Sequence, residues 1–123
     1  MELKPTEGEL TLLLEREAHK AEAAGRKPFV EFFANWCPPC LALRKSMTDP
    51  LMIEAFEGTY LIRLDADEWS GKLSGTGLSA SRVPIFFELD KEGKPTGRTI
   101  TSGAWKEDIP SNMAPVLNKF FKE

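Results

Sequence analysis

The chain has two cysteines, Cys37 and Cys40, with Pro38 and Pro39 between them. They stand where an apolar β-type run, Pro28 to Ala34, gives way to a helix-forming run, Leu41 to Met47. A Cys-x-x-Cys pair at a strand-to-helix junction is the spacing of a dithiol redox site. One turn of backbone brings sulfurs three positions apart within disulfide distance. If the helix begins at Pro38, Cys37 is its N-cap, and its sulfur faces free backbone N–H groups and the positive end of the helix dipole. That setting stabilises thiolate over thiol. Proline suits the first helical position because the N–H it lacks has no partner there. Pro39 removes a further donor, so Cys37 is expected to be less acidic than in a motif carrying His at that place. Cys37 is expected to be the exposed, attacking thiol. Cys40, turned inward one turn into the helix, is expected to keep a higher pKa and to resolve.

Other residues compete for attention. Glu31 interrupts the apolar strand, on the face shared by Phe29 and Phe33 if side chains alternate. It is either a buried, functional carboxyl or one that reaches solvent at the strand end. His19 is the lone histidine and lies beside the apolar face of a helix, a surface position. Asp65-Ala66-Asp67-Glu68 is acidic but lacks the glycine and distant glutamate of a calcium loop, and reads as a solvated strand end. Gly71, Gly75 and Gly77 form no phosphate loop, since no Gly-Lys-Ser follows a strand. The alternative function is a thiolate metal-binding module, a Cu⁺ or Zn²⁺ carrier. Closed zinc sites take four ligands, and neither a second cysteine pair nor a nearby histidine supplies them; Cu⁺ needs fewer. A purely structural disulfide closing so small a loop would stabilise little.

The elements that position these residues follow from pattern. Thr6 and Glu9 fit a capping box, and Leu10, Leu13, Leu14, Ala18 and Ala21 recur on one helical face until Gly25 stops the helix. Phe29 to Ala34 is apolar enough for a central strand. Thr48-Asp49-Pro50 breaks the helix that follows the cysteines, with Asp49 capping a second piece whose buried face is Leu51, Met52, Ala55 and Phe56. Thr59 to Asp65 is the next strand. The glycine-bearing stretch Trp69 to Ser81 permits no long helix. Val83 to Leu89 and Thr96 to Ser102 are strands joined by the turn Asp90 to Gly93. Ile109, Met113, Val116, Leu117, Phe120 and Phe121 mark a final helix, with Pro110 at its start and Pro115 either bending it or in an early turn. This order predicts a three-layer α/β sandwich: a mixed four-stranded sheet, order 2-1-3-4, strands 1 and 2 parallel and 3 and 4 antiparallel. The dithiol then lies at the C-terminal end of a central strand, where open α/β sheets place their sites.

At this point a resemblance becomes plain. Val30-Glu31-Phe32-Phe33-Ala34-Asn35-Trp36-Cys37-Pro38-Pro39-Cys40 resembles the active-site strand and motif of the thioredoxin family, which usually has Gly-Pro between the cysteines. Arg82-Val83-Pro84 resembles the stretch where thioredoxins carry a cis-proline facing the active site, and Gly103, after the last strand, is a third family mark. Thr48-Asp49-Pro50 is more similar to the C-terminal domain of DsbD than to thioredoxin itself. The resemblance runs from about Thr6 to the end of the chain. It implies a thioredoxin-like α/β/α sandwich and a thiol–disulfide oxidoreductase that reduces protein disulfides by exchange through Cys37 and Cys40. Glu31 takes the place of the buried acid, usually Asp, and on this reading relays a proton to or from Cys40. Trp36, Arg82, Val83, Pro84 and Gly103 form the contact surface, and a substrate strand can pair with the Val83 backbone. The implied partners are protein disulfides and an upstream dithiol reductant. Neither an organic cofactor nor a metal is implied.

Composition sets the remaining bounds. Residues 1–123 are long enough for one domain that buries its own core, and 41% apolar against 28% charged residues is the balance of a globule rather than a disordered chain. A net charge of −3 argues against nucleic acid and anionic membranes as partners. No apolar stretch approaches the ~18 residues a membrane span requires, and Met1-Glu2-Leu3-Lys4-Pro5 is not a signal peptide. The chain is expected to act as a monomer, in the cytoplasm as it stands or exported if a signal segment was removed.

Overall fold

Strand β1 (Lys27–Phe33) is buried at every residue after its first, so it must have a strand on each side and a layer on each face. The computed structural model, which describes residues 1–123, supplies both. β1 pairs in parallel with β2 (Thr59–Asp65) and antiparallel with β3 (Ile85–Leu89), and β3 pairs antiparallel with β4 (Pro95–Thr101). The sheet order is β2-β1-β3-β4, as the sequence pattern predicts. Helix α1 (Leu10–Ala23) covers one face, its Leu10, Leu13 and Leu14 packing on Val30, Phe32, Ile62, Leu64 and Phe87. Helices α2 (Pro38–Lys45), α3 (Pro50–Phe56) and α4 (Pro110–Lys122) cover the other, where Leu43, Met52, Met113, Leu117 and Phe121 meet Phe29 and Phe86. A fully buried Leu or Phe contributes about 1.5–3 kcal/mol, so these two layers hold the sheet from both sides.

Local signals set the ends of the elements. Gly25 at φ 67° closes α1: its N–H bonds Glu22 O at 3.0 Å and that of Arg26 bonds Ala21 O at 2.9 Å, the paired bonds of a Schellman stop. Asp49 caps α3 through Leu51 N–H to Asp49 Oδ1 at 2.9 Å. In the β3–β4 turn, Gly93 at φ 81° passes so near α1 that a Cβ would lie 2.5 Å from Leu14 O.

Several expectations need correction. Helix α1 starts at Leu10, not behind a Thr6 cap: Pro5–Glu7 forms a 3₁₀ turn and Gly8 at φ 142° turns the chain out of it. Leu51 and Ile109, expected on buried helix faces, are 49% and 44% exposed, because each sits at the outer start of its helix. β3 begins at Ile85 rather than Val83, since Val83 and Pro84 form the bend leading into it. Pro115 lies inside α4, in its second turn. The sequence also hid one pairing: Met1–Leu3 runs along the outer edge of β2, with Leu3 N–H bonding Arg63 O at 3.1 Å and Arg63 N–H bonding Met1 O at 2.8 Å. Trp69 to Ser81 contains no helix, yet Trp69 and Leu78 close the α1 side of the core, and Trp69 Nε1–H donates to Leu3 O at 3.1 Å. No helix is long and apolar enough to cross a membrane.

Candidate active site

The chain leaves the C-terminal end of β1, turns through Ala34 to Trp36, and enters α2 at Pro38. Cys37 is the N-cap, in extended conformation (φ −92°, ψ 111°). Cys37 and Cys40 are joined as a disulfide with their Cα atoms 5.2 Å apart. Pro38 and Pro39 occupy the first two helical positions and donate nothing, so the first N–H able to reach the cap is that of Cys40. It points at Cys37 Sγ from 3.2 Å. Cys37 Sγ thus sits at the positive end of the α2 dipole with one backbone donor directed at it.

Exposure does not separate the two sulfurs, contrary to the expectation of an exposed Cys37. The residues are 2% and 3% accessible, because Phe33, Ala34 and Val83 close around both. What distinguishes the two is the Cys40 N–H aimed at Cys37 Sγ. Val83 O lies 3.6 Å from Cys37 Sγ, and the Val83–Pro84 peptide is cis. Pro84 is buried, Val83 half-buried and Arg82 exposed. This bend is therefore at the dithiol, with Arg82 on its solvent side. Gly103, exposed in the turn after β4, belongs to the same end of the sheet, since the β3–β4 register pairs Ile85 with Thr101.

Trp36 is 67% exposed but tethered: its Nε1–H donates to Asp67 Oδ2 at 2.9 Å. Asp65 in turn fixes that turn, accepting from Asp67 N–H at 2.9 Å and Glu68 N–H at 3.4 Å. The acidic run read as a solvated strand end thus holds the exposed indole beside the cysteines. Nothing local signals this contact, which spans 31 positions.

Glu31 is buried, with 4% of its surface accessible. Its carboxylate accepts from Arg63 Nε–H at 3.2 Å, and no hydrogen bond joins it to either cysteine. Burial pushes its carboxyl above the usual carboxylate range, while Arg63, Arg44 and the amino terminus pull it back only in part. Arg63 was not singled out in the sequence; it faces Glu31 because the β1–β2 register pairs them. A second buried carboxylate, Glu17, went unnoticed although helical spacing puts it between Leu14 and Ala21; it accepts from Tyr60 Oη–H at 2.6 Å and Arg16 Nε–H at 2.7 Å. His19 is exposed on α1. No group of three or more His, Cys, Asp or Glu side chains converges to hold a metal, so no four-ligand zinc site is assembled around the cysteines. The largest hollow, about 670 Å³, lies at the far end of the sheet against Lys27, Glu88 and Arg98.

No protein-family model matches the chain. It is 36% identical over 104 residues to Thioredoxin-2 of Saccharomyces cerevisiae, covering 79% of this chain and 91% of that protein. It is 28% identical over 101 residues to Thioredoxin H1 of Arabidopsis thaliana, covering 82% of each. The solved structure of Trichomonas vaginalis thioredoxin matches it with a TM-score of 0.55 and 27% identity, over 82% of this chain and 83% of that one. The finer likeness to the C-terminal domain of DsbD rests on Thr48-Asp49-Pro50 alone.

Proposed function

This chain belongs to the thioredoxin family and is a thiol–disulfide oxidoreductase, and from that premise we propose that residues 1–123 act as one domain that reduces protein disulfides. The Cys37 thiolate attacks a substrate disulfide, forming a mixed disulfide and expelling one substrate thiolate. Cys40 then loses its proton, for which the buried Glu31 carboxylate is the acceptor, and attacks Cys37 Sγ. The second substrate thiolate leaves, two electrons have passed to the substrate, and Cys37–Cys40 is a disulfide again. An upstream dithiol recharges the pair. Trp36, Arg82, Val83, Pro84 and Gly103 form the surface on which the substrate lies, with the Val83 backbone available to pair with an extended strand. Reduction is favoured over oxidation because no charged or histidine side chain stands between the cysteines to stabilise the thiolate form further.

The observation that carries the assignment of roles is the Cys40 N–H aimed at Cys37 Sγ from 3.2 Å at the start of α2. The test is trapping. Cys37→Ser abolishes reduction of insulin. Cys40→Ser still attacks but stalls, accumulating a partner-bound mixed disulfide that dithiothreitol cleaves. Trapping by Cys37→Ser instead would reverse the assignment, and a wild type that reduces no protein disulfide would remove the reading.

A further inference from the structure

Phe33 packs with both cysteines, and two guanidinium groups lie against its ring. Arg63 Cζ is 4.1 Å from the ring centroid and Arg44 Cζ is 5.1 Å from it. The two arginines arrive from different elements, β2 and α2, and differ in one respect. Arg63 is committed, its Nε–H bonded to Glu31. Arg44 forms no ion pair and no side-chain hydrogen bond. It stands four residues after Cys40 in α2, so the two share a helix face, and helical side chains lean toward the preceding turn, here the turn of Cys40. An arginine on an exposed position has its whole solvent shell to choose from, yet this one lies over an aromatic ring beside the dithiol.

We propose that Arg44 is a positioning residue for the resolving step: its uncompensated cation, seated on Phe33, draws the proton off Cys40 and lowers the pH at which the mixed disulfide resolves. The proposal rests on the dithiol-exchange reading above. In that step Cys40 Sγ–H gives its proton to Glu31, and the thiolate attacks Cys37 Sγ. The bond from Cys37 to the partner sulfur breaks and the partner leaves with the electron pair. The negative charge thereby passes from the Glu31 carboxylate to sulfur and then leaves the protein with the partner thiolate. At the acid end of the pH range Cys40 and Glu31 are both protonated, so reaching the thiolate requires the site to lose one proton to solvent, and a nearby cation favours every state after that loss. The groups facing Cys40 and Glu31 come from several elements. β2 presents Arg63, and also Asp65, in register with Phe33, whose Oδ1 is occupied by two backbone N–H groups. The N-terminal segment brings the Met1 amino group, bonded to Leu61 O. β3 presents the uncharged Phe86 opposite Glu31, and α3 and α4 turn apolar side chains inward. Of the two guanidinium groups on the ring, Arg44 alone is not ion-paired to a carboxylate. The pull of Arg44 on the Glu31 carboxyl has the same direction.

The test separates the two steps. Reduced protein is mixed with 5,5′-dithiobis(2-nitrobenzoate). Attack by Cys37 releases one thionitrobenzoate, and attack by Cys40 on the resulting mixed disulfide releases a second. The second phase is followed from pH 5 to 9 in the wild type, Arg44→Met and Arg44→Lys. Met keeps an unbranched stem and loses the charge; Lys keeps the charge and loses the stacking plane. The midpoint of the second phase rises by about half a pH unit in Arg44→Met, which reads as about threefold slower release below the midpoint. Arg44→Lys stays near the wild type, and 0.5 M salt narrows the gap between Met and wild type. A Met profile that superimposes on the wild type overturns the proposal, as does a Lys variant as slow as Met, which would make stacking the cause. A wild type that releases only one thionitrobenzoate would instead refute the dithiol reading on which the proposal stands.

Discussion

Replacing Pro39 by alanine should make Cys37 more acidic, and the size of the change can be worked from the donors at the cap. An N-cap side chain accepts from the N–H of the second or third helical residue. Here the third, Cys40, donates to Cys37 Sγ from 3.2 Å, and the second, Pro39, has nothing to donate. Pro39→Ala restores the missing donor without asking the backbone for a new conformation. A hydrogen bond to a charged acceptor contributes about 1.5 kcal/mol at the low end of its range. At 1.36 kcal/mol per pKa unit, that lowers the Cys37 thiol by about one unit. If the thiolate is already formed at pH 7, the reduced state gains the same amount, and the pair becomes less reducing by about 30 mV. The rate of iodoacetamide alkylation of reduced protein against pH gives the first quantity; equilibration with glutathione buffers gives the second. Pro38→Ala is the control, because the first helical N–H does not face the cap side chain, and it should move the midpoint much less. An alkylation midpoint in Pro39→Ala that stays in place or rises would refute the donor inventory as the basis of Cys37 reactivity.

Further outcomes follow from the buried carboxylates. Burial pushes Glu17 up, but bonds from Tyr60 and Arg16, with the charge of Lys20, outweigh it and hold the carboxyl below its usual range. A depressed folded pKa stabilises the fold above the ordinary carboxylate value and is lost as pH falls through the folded one, so Glu17→Gln should cost about 1–3 kcal/mol near pH 7, with the gap closing in urea melts at lower pH; a gap independent of pH would assign the loss to packing. The same contact pushes the Tyr60 phenol up to about 12. Tyr60 is the one tyrosine of the chain, so its absorbance titration at 295 nm reports it alone, and Glu17→Gln should bring it back toward about 10. Glu31 has the opposite sign. Burial raises its carboxyl against the opposing pull of Arg63, so the folded state loses stability as pH rises from the ordinary carboxylate value through the raised one. Glu31→Gln should remove that fall in guanidinium melts between pH 4 and 8 while slowing release of the second thionitrobenzoate near neutrality; unchanged release would leave Glu31 a structural residue.

Much of the site was legible because it is local. Cys37, Pro38, Pro39 and Cys40 are contiguous, and helix geometry alone makes one the cap and the other the first inward residue. Glu31 was legible from alternation along a strand whose other residues are apolar. The order 2-1-3-4 follows from connection lengths and from where the turn glycines and prolines fall. The boundary errors at Thr6 and Val83 share a cause: a proline beside a turn can begin a helix or delay a strand, and the choice depends on what the neighbouring backbone is bonded to.

The sequence by itself determined the chemistry of this protein: a two-thiol redox pair at a helix start, on a central strand of a mixed sheet. These features rest on interactions within a few residues, where covalent geometry leaves little freedom. The tertiary structure decided what surrounds the pair. The β1–β2 register put Arg63 on Glu31, and the turn after β2 put Asp67 on Trp36. Closure of the sheet end brought Val83 against Cys37 and hid a sulfur expected to be exposed. These partners lie 31 to 46 positions apart in the chain. No local periodicity carries such pairings, because they exist only once two apolar faces have been packed on one sheet and its register is set.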